Sequence, residues 1–225
     1  YARIVIDARN LSGTQIYKGG TVTDFTSRLV PTLMNDHVFA LERTSFTDFF
    51  KDMFRSSNAG YAKNEVLIQS YFSIEDLRRS NLWGSVKVYN ESGSFYTLLK
   101  YQPHDDMTNR AAHKFPLIRL SEMYFIAMEC KDPEAQDLYD AFRGSRGLSP
   151  RVFEGDTENI LLEEYNKELY GEGQMFYQYK RFRSARIEWA PGAVENPAAV
   201  YCLPLPKREH GSKLLSNSCI LLFNA

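Results

Sequence analysis

Hydrophobic side chains recur at helical spacing in three stretches of the second half of the chain. The first stripe is Leu117, Leu120, Tyr124, Ala127 and Met128, the second is Ala135, Leu138, Tyr139 and Phe142, and the third begins with Ile160, Leu161, Tyr165 and Leu169 and continues to Phe176 and Tyr179. Pro116 is predicted to start the first helix and Asp156-Thr157 to cap the third. Only Lys131-Asp132-Pro133 separates the first two helices. The pattern therefore predicts an antiparallel helical pair followed by a third helix.

The third predicted helix contains Gly171 and Gly173. Each glycine disfavours an uninterrupted helix by about 1 kcal/mol relative to alanine. We therefore expect a kink, a break or close packing at this point.

The first half of the chain is less regular. Residues 1–10 read as the end of a helix with Ala2, Val5, Ile6 and Leu11 on its apolar side. The pattern further predicts a strand over 36–42, a Phe-rich helix over 46–54, a short helix over 73–79 with Ser73 as N-cap, and a β-hairpin over 84–101 that turns at 90–93. The predicted fold is mainly α, with one helix–turn–helix pair of the tetratricopeptide type, irregular loops and a few short strands.

Composition and charge exclude several classes of protein. The chain has 225 residues and a formal net charge of −1, so it carries no global field for nucleic acid or an anionic membrane. No stretch approaches the roughly 20 apolar residues that span a bilayer. Cys130, Cys202 and Cys219 are widely spaced, which argues against a zinc ribbon or a redox motif but leaves one disulfide open. Cys130 ends an apolar helical run, and we expect a buried thiol there.

Aromatic residues make up 14% of the chain and suggest one candidate binding site. Sugars are held by an aromatic plane together with side chains that hydrogen-bond hydroxyl groups. The stretch around Trp83 supplies both, and the predicted ligand-binding residues are Trp83, Arg78, Asn81, Tyr89 and Tyr96. The alternative, which we favour, is a tryptophan packed into the core.

Candidate enzyme chemistry is weaker. His104, Asp105, Asp106 and His113 have the side chains of a metal or acid–base site, but they lie in a predicted polar loop. Residues 13–20 lack the ending of a phosphate-binding loop. We therefore predict no catalytic residue, no metal ligand and no cofactor.

Two charged runs also have ordinary explanations. Glu163, Glu164, Glu168 and Glu172 have the side-chain type of glycoside hydrolases, yet their helical spacing predicts a solvated or salt-bridged face balanced by Lys167 and Lys180. The basic run 180–186 has the composition of a nucleic-acid contact. It is better interpreted as the last turn of a helix, where cations are stabilised by the helix dipole.

Four motifs in the second half of the chain follow one another in the order found in the SusD/RagB family. Residues 115–129 (FPLIRLSEMYFIAME) resemble the signature helix of that family. Residues 137–147 (DLYDAFRGSRG), 162–181 (LEEYNKELYGEGQMFYQYKR) and 200–206 (VYCLPLP) are similar to its later motifs. Lys167 and Phe142 replace the usual Arg and Val, and the tail after Gly211 matches no family motif.

The resemblance implies a non-enzymatic nutrient-binding lipoprotein on the outer face of the outer membrane of Bacteroidetes. Such proteins capture glycans, or in some members peptides, for a SusC-like TonB-dependent transporter. The chain would be the C-terminal part of a SusD-like domain, with a lipid-bearing cysteine and the first helices upstream of Tyr1. Residues 1–114 would form its irregular subdomain, and residues 115–225 its signature helices and closing segment.

The same resemblance implies that Arg119, Glu122, Glu168 and Glu172 form buried pairs and do not contact ligand. A peptide- or protein-binding helical interaction module is the alternative function, and a hydrolase ranks third.

Overall fold

The structure, a computed structural model, describes residues 1–17, 36–42, 62–87, 93–100, 114–187 and Tyr201. Within these residues it contains seven helices: α1 (Ala2–Ile6), α2 (Glu65–Tyr71), α3 (Leu77–Leu82), α4 (Leu120–Glu129), α5 (Ala135–Ser145), α6 (Thr157–Leu169) and α7 (Met175–Arg181). It also contains five short strands: β1 (His37–Glu42), β2 (Lys63–Asn64), β3 (Trp83–Val86), β4 (Phe95–Leu98) and β5 (Lys114–Arg119). The predicted mainly helical fold is confirmed.

The chain falls into two compact units that divide between Glu172 and Gly173. All elements except α7 belong to the first unit, and α7 belongs to the second. The predicted division between residues 114 and 115 stays a prediction.

One part of the apolar core of the first unit lies between α4, α5 and α6. Phe125 of α4 is completely buried, and its ring centroid lies 4.8 Å from that of Phe142 and 4.6 Å from that of Tyr165. These three rings come from three helices. Phe142 and Tyr165 stand on the stripes that the periodicity predicted, whereas Phe125 lies outside the predicted stripe of α4, whose Tyr124 is only half-buried. Such edge-to-face contacts add to the burial of apolar area.

The start of the first signature helix was predicted wrongly. Lys114–Arg119 is strand β5, which pairs antiparallel with β1, and the helix begins only at Leu120. Strand β5 pairs with a neighbour on one side only. Proline lacks a backbone N–H, and such edge strands accept it because they do not need every residue to donate a hydrogen bond. The backbone N–H of Arg119 donates to Glu122 Oε2 at 2.9 Å, so the Glu122 carboxylate satisfies the N-cap donor at the start of α4. The predicted strand over 36–42 is confirmed.

The predicted interruption of the third helix is confirmed. Gly171 and Gly173 have φ values of +80° and +74°, in the left-handed region that a helix cannot contain. Helix α6 therefore ends at Leu169, and α7 is a separate helix. Asp156 caps α6 as predicted, since its carboxylate accepts the backbone N–H of Asn159 at 3.2 Å.

The predicted hairpin is confirmed as β3 and β4, with β2 pairing on the other side of β4. The helix before it begins at Leu77, not near Ser73, because Asp76 provides the cap: its Oδ1 accepts the backbone N–H of Arg78 at 3.0 Å. Ser73 is exposed and lies outside the helix.

Two predictions of burial are wrong. Leu11 lies beyond the end of α1 and is fully exposed. Within α1 itself, Ile6 is the buried residue. Cys130 is exposed and free, because α4 ends at Glu129 and the thiol lies in the turn that follows. The predictions for 46–54, 104–113, Cys202 and Cys219 fall outside the described residues, as does the motif at 200–206 apart from Tyr201. None of the described helices is both long and apolar enough to cross a membrane.

Candidate functional site

Trp83 lies in the core of the first unit. Its side chain is 4% exposed, and its ring centroid is 5.2 Å from that of Tyr170 and 6.4 Å from that of Phe72. The register of the hairpin explains this, since Trp83 stands opposite buried Leu98 on the same face of the sheet. The indole therefore packs against protein rings, as the alternative interpretation of the sequence expected.

Arg78 is completely buried and ion-paired. Its Nη2 lies 2.8 Å from Asp76 Oδ2, and its Nη1 lies 2.8 Å from Glu164 Oε2. Burial by itself would lower the pKa of this guanidinium, but Asp76, Glu164 and Glu168 together raise the pKa well above its ordinary value. A guanidinium held in this way has a structural role.

The other predicted ligand residues are more accessible. Asn81 is half-buried, and its amide donates to the Leu77 carbonyl at 2.8 Å and to Ser80 Oγ at 2.9 Å. Tyr96 is half-buried on β4, and Tyr89 lies outside the described residues. The ligand-binding role of the five residues stays a prediction, and among those described Tyr96 and Asn81 have the exposure it requires.

Tyr96 shares one face of the sheet with two polar residues that sequence reasoning did not single out. It stands opposite Lys63 of β2 and Ser85 of β3. Cross-strand partners of an antiparallel sheet point to the same side, so the three side chains form one surface, named here the Tyr96 face. The Nζ of Lys63 lies 5.6 Å from the ring centroid of Tyr170, and burial lowers the pKa of Lys63.

The chemistry of the Tyr96 face is a phenol ring flanked by a hydroxyl and an ammonium group. The ring can stack on the C–H face of a sugar, and the polar groups can hydrogen-bond its hydroxyls. Lys63 and Ser85 are 22 residues apart, so the sequence alone does not show that they flank Tyr96. Their proximity follows only from the register of the strands.

A buried ionic cluster lies beneath the surface of the first unit. Its nine members are each at most 4% exposed: Asp36, Asp76, Arg78, Lys100, Arg119, Arg146, Glu164, Glu168 and Glu172. Glu168 is central, with Oε1 at 2.7 Å from Arg146 Nη2 and 3.2 Å from Arg119 Nη2. Burial alone would raise the pKa of Glu168, but Arg146, Arg119 and Arg78 hold that pKa well below its ordinary range. The charges thus compensate one another away from water.

The cluster joins elements that are distant in sequence. Asp36, just before β1, accepts from Arg119 Nε at 3.2 Å and from the backbone N–H of Ser121 at 3.1 Å. Lys100, just after β4, donates to the Glu168 carbonyl at 2.6 Å and pairs with the Glu172 carboxylate. Burial lowers the pKa of Lys100 to about 8, although Glu172 raises it in part.

No group of His, Cys, Asp and Glu side chains suited to a metal ion occurs in the described part of the chain. The candidates at His104, Asp105, Asp106 and His113 lie outside it.

Three solved structures match this architecture. A SusD-like carbohydrate binding protein from Bacteroides vulgatus covers 71% of the chain with a TM-score of 0.51 and 17% identity. A SusD superfamily protein from the same species covers 80% at 0.56 and 17%, and one from Parabacteroides distasonis covers 86% at 0.53 and 14%. This chain has the SusD-like fold. It spans 37%, 44% and 53% of the length of those three chains, respectively. No protein-family model and no curated protein matches the sequence.

The charged residues within the sequence motifs form ion pairs and a helix cap. Arg119 pairs with Glu168, and its Nη1 lies 2.7 Å from Glu172 Oε1, so the expected buried pairs are confirmed. Glu122, which was also expected in a buried pair, is half-buried, and its carboxylate caps α4.

The interpretation of the glutamates as a face balanced by lysines is correct only at its edge. Glu163 pairs with Lys167 one helical turn away. Glu164, Glu168 and Glu172 point inward, are salt-bridged mainly by arginines, and are not solvated.

Proposed function

We propose that this chain is part of a non-catalytic glycan-binding protein. The observation that carries the proposal is the SusD-like fold, which it shares with a structure named as a carbohydrate binding protein across 71% of its length. The Tyr96 face provides independent support, since it combines an aromatic ring with hydroxyl and ammonium groups in the first unit.

The proposed site places a sugar ring against Tyr96, with Lys63 and Ser85 bonding its hydroxyls. Asn81 and Tyr89 remain in the proposed site as flanking residues. Trp83 lies beside this site on the same face of the sheet, with its indole buried against Tyr170, and the Arg78 guanidinium fixes the start of α3.

Chemical protection of Tyr96 tests this site. Tetranitromethane nitrates accessible tyrosines, and we expect a saturating glycan to slow nitration of Tyr96 while leaving Tyr1, whose side chain is fully exposed, unaffected. Mass spectrometry of the peptides gives both rates in one sample. Equal nitration of Tyr96 with and without glycan would exclude the Tyr96 face as the site.

Binding without turnover is the second part of the proposal. Glycoside hydrolysis needs two carboxylates that reach the scissile bond. Among the described residues, Glu164, Glu168 and Glu172 lie close together, but they are buried and held by cations.

A glycan array followed by titration calorimetry tests the function. We expect saturable binding to at least one neutral oligosaccharide, with its chain length unchanged after prolonged incubation. Release of shorter products by the purified protein would contradict the non-catalytic proposal, and an absence of binding to every glycan would contradict glycan binding.

We also propose that the whole protein works at the outer membrane as a surface lipoprotein with a SusC-like TonB-dependent transporter. The support is the shared fold with proteins of Bacteroides and Parabacteroides and the order of the sequence motifs. Affinity purification of the full-length protein from native outer membranes tests it: the transporter should co-purify, and recovery from the soluble fraction alone would contradict the location.

Peptide or protein binding is the second candidate function. Phe39, Leu41, Leu117 and Ile118 of the β1–β5 ribbon are 38–53% exposed and provide an apolar surface. If this function is correct, Phe39→Ser should weaken capture of a peptide library, and calorimetric titration of the parent protein with glycans should show no binding. Glycan binding that is unchanged by Phe39→Ser would favour the first proposal.

A further inference from the structure

The second unit begins with a strongly basic segment. Residues 173–187 contain Lys180, Arg181, Arg183 and Arg186 and no acidic residue, so the segment carries a formal charge of +4 in a chain whose net charge is −1. All four cations are exposed. The helix dipole accounts for Lys180 and Arg181, which lie in the last turn of α7 as the sequence predicted. It does not account for Arg183 and Arg186, which follow the helix.

An exposed aromatic ring adjoins these cations. Tyr177 is 67% exposed, whereas Tyr179 on the same helix is 5% exposed. Residues three and four positions apart lie side by side on a helix, so Tyr177 neighbours Lys180 and Arg181 on one face. We name Tyr177, Lys180, Arg181 and Arg183 the α7 surface.

The guanidinium of Arg181 is held in place by protein contacts. Its centre lies 4.4 Å from the ring centroid of Phe182, and its Nη2 donates to Gln178 Oε1 at 2.7 Å. A guanidinium oriented in advance loses less side-chain entropy when it binds a planar or tetrahedral anion. Arginine can donate two parallel hydrogen bonds to a carboxylate or a sulfate.

We propose that the α7 surface binds a glycan that carries carboxylate or sulfate groups. The inference rests on the proposed glycan-binding function and adds a substrate class and a second contact surface to it. Tyr177 stacks on the sugar ring, while Lys180, Arg181 and Arg183 neutralise its acidic groups. Nucleic acid is the less favoured polyanion, because the positive charge is confined to one short segment of a chain that is negative overall.

Matched ligands and matched variants test this proposal. The ligands are oligogalacturonate, neutral dextran oligosaccharides of similar length, and polyacrylate, which has carboxylates but no sugar rings. The variants are Tyr177→Ala and the double substitution Lys180→Gln/Arg181→Gln. The control is Lys131→Gln/Arg151→Gln, which removes two exposed cations from the first unit. Thermal melting and circular dichroism verify that each variant is folded.

We expect calorimetry to show oligogalacturonate binding that weakens as salt is raised, because exposed ion pairs are screened. Loss of two such ion pairs should weaken it about tenfold in the double variant. Tyr177→Ala should weaken oligogalacturonate but not polyacrylate, and the control should leave both unchanged. Lys180→Arg together with Arg181→Lys keeps both charges and should retain most of the affinity.

Three results would overturn the inference. If the protein bound neutral oligosaccharides but not oligogalacturonate, acidic glycans would be excluded as the ligand class, while the proposed glycan-binding function would stand. Equal losses in the double variant and the charge-matched control would show nonspecific attraction. Equal affinity for polyacrylate and oligogalacturonate, together with no effect of Tyr177→Ala, would show polyanion binding without sugar recognition. Failure to bind any glycan at all would contradict the proposed function itself.

Discussion

Glu168 shows how much depends on single side chains in this molecule. Its carboxylate lies within 3.4 Å of guanidinium nitrogens from Arg78, Arg119 and Arg146, and its residue is 1% exposed. A buried ion pair contributes little compared with a well-packed apolar core, but removing one partner leaves the other charges uncompensated. The neighbouring Glu163 makes a helical pair with Lys167 and is 46% exposed at its side chain, so solvent screens it.

This contrast yields a stability prediction. Glu168→Gln should lower the free energy of unfolding by about 3–5 kcal/mol because three buried arginines lose a common carboxylate. Glu163→Gln should change it by less than about 1 kcal/mol. Urea titrations followed by circular dichroism measure both, and equal losses would show that the buried cluster contributes no more than a surface pair.

Lys100 yields a prediction about pH. Its folded-state pKa is about 8, against an ordinary value of 10.5. Between these values the unfolded chain holds this proton and the folded protein does not, so the free energy of unfolding rises with pH across that interval. Below pH 8 both states are protonated and this contribution is flat.

Lys100→Met should remove the alkaline rise. The difference in unfolding free energy between parent and variant should change by on the order of 3 kcal/mol from pH 8 to 10.5. Urea titrations at several pH values measure it, and other titrating groups cancel because both proteins contain them. Parallel curves for the two proteins would show that Lys100 keeps its ordinary pKa when folded.

Elements were predictable where their cause is local. The stripes of α5 and α6, the Asp156 cap and the glycine break after Leu169 are encoded within a few residues of one another. Strand β5 was missed because its conformation depends on β1, which lies more than 70 residues earlier. The burial of Trp83 is also set by distant partners: Tyr170 and Phe72 come from other elements.

The turn after α5 offers a test at the scale of elements. Gly147 has a φ of +77°, and a Cβ there would lie 2.8 Å from Leu77 Cγ and 3.0 Å from the Glu75 carbonyl oxygen. Gly155 has nearly the same φ of +76° but nothing within 4 Å of the same position. Gly155→Ala should therefore cost only backbone strain, about 1–2 kcal/mol.

Gly147→Ala should cost more, because it adds a steric clash to the same strain. We expect a further loss of about 1–3 kcal/mol, comparable with overpacking of a core. Urea midpoints of the two variants give the difference directly. Equal midpoints would indicate that the turn after α5 is free to move away from α3.

At the scale of the whole molecule, the buried ionic cluster connects segments that no local pattern relates. Asp36, Asp76, Lys100, Arg146 and Glu172 lie in five separate stretches of sequence and meet in one buried group. The family resemblance implied buried pairs for Arg119, Glu168 and Glu172 but for no other member of the cluster. The net charge of the chain likewise gave no indication of the basic segment 173–187. A chain with a net charge of −1 contains this segment with a charge of +4.

The chemistry of the proposed Tyr96 face could be read from the sequence, but its geometry could not. The stretch around Trp83 did contain an accessible aromatic residue, Tyr96, next to polar groups. Strand register added Lys63 and Ser85 as the direct cross-strand neighbours of the ring. Trp83 lies on the same face of the sheet, two residues before Ser85, but its side chain is buried against Tyr170.

Calorimetric titration of the Tyr96→Ala variant with the neutral oligosaccharide that the parent binds most tightly tests the central claim most directly. Loss of a stacking ring should weaken binding by about 1–2 kcal/mol, or roughly five- to thirtyfold, with an unchanged melting temperature. Tyr1→Ala, which removes an exposed ring elsewhere, should bind as the parent does. An affinity for Tyr96→Ala equal to that of the parent would contradict a glycan site on the Tyr96 face.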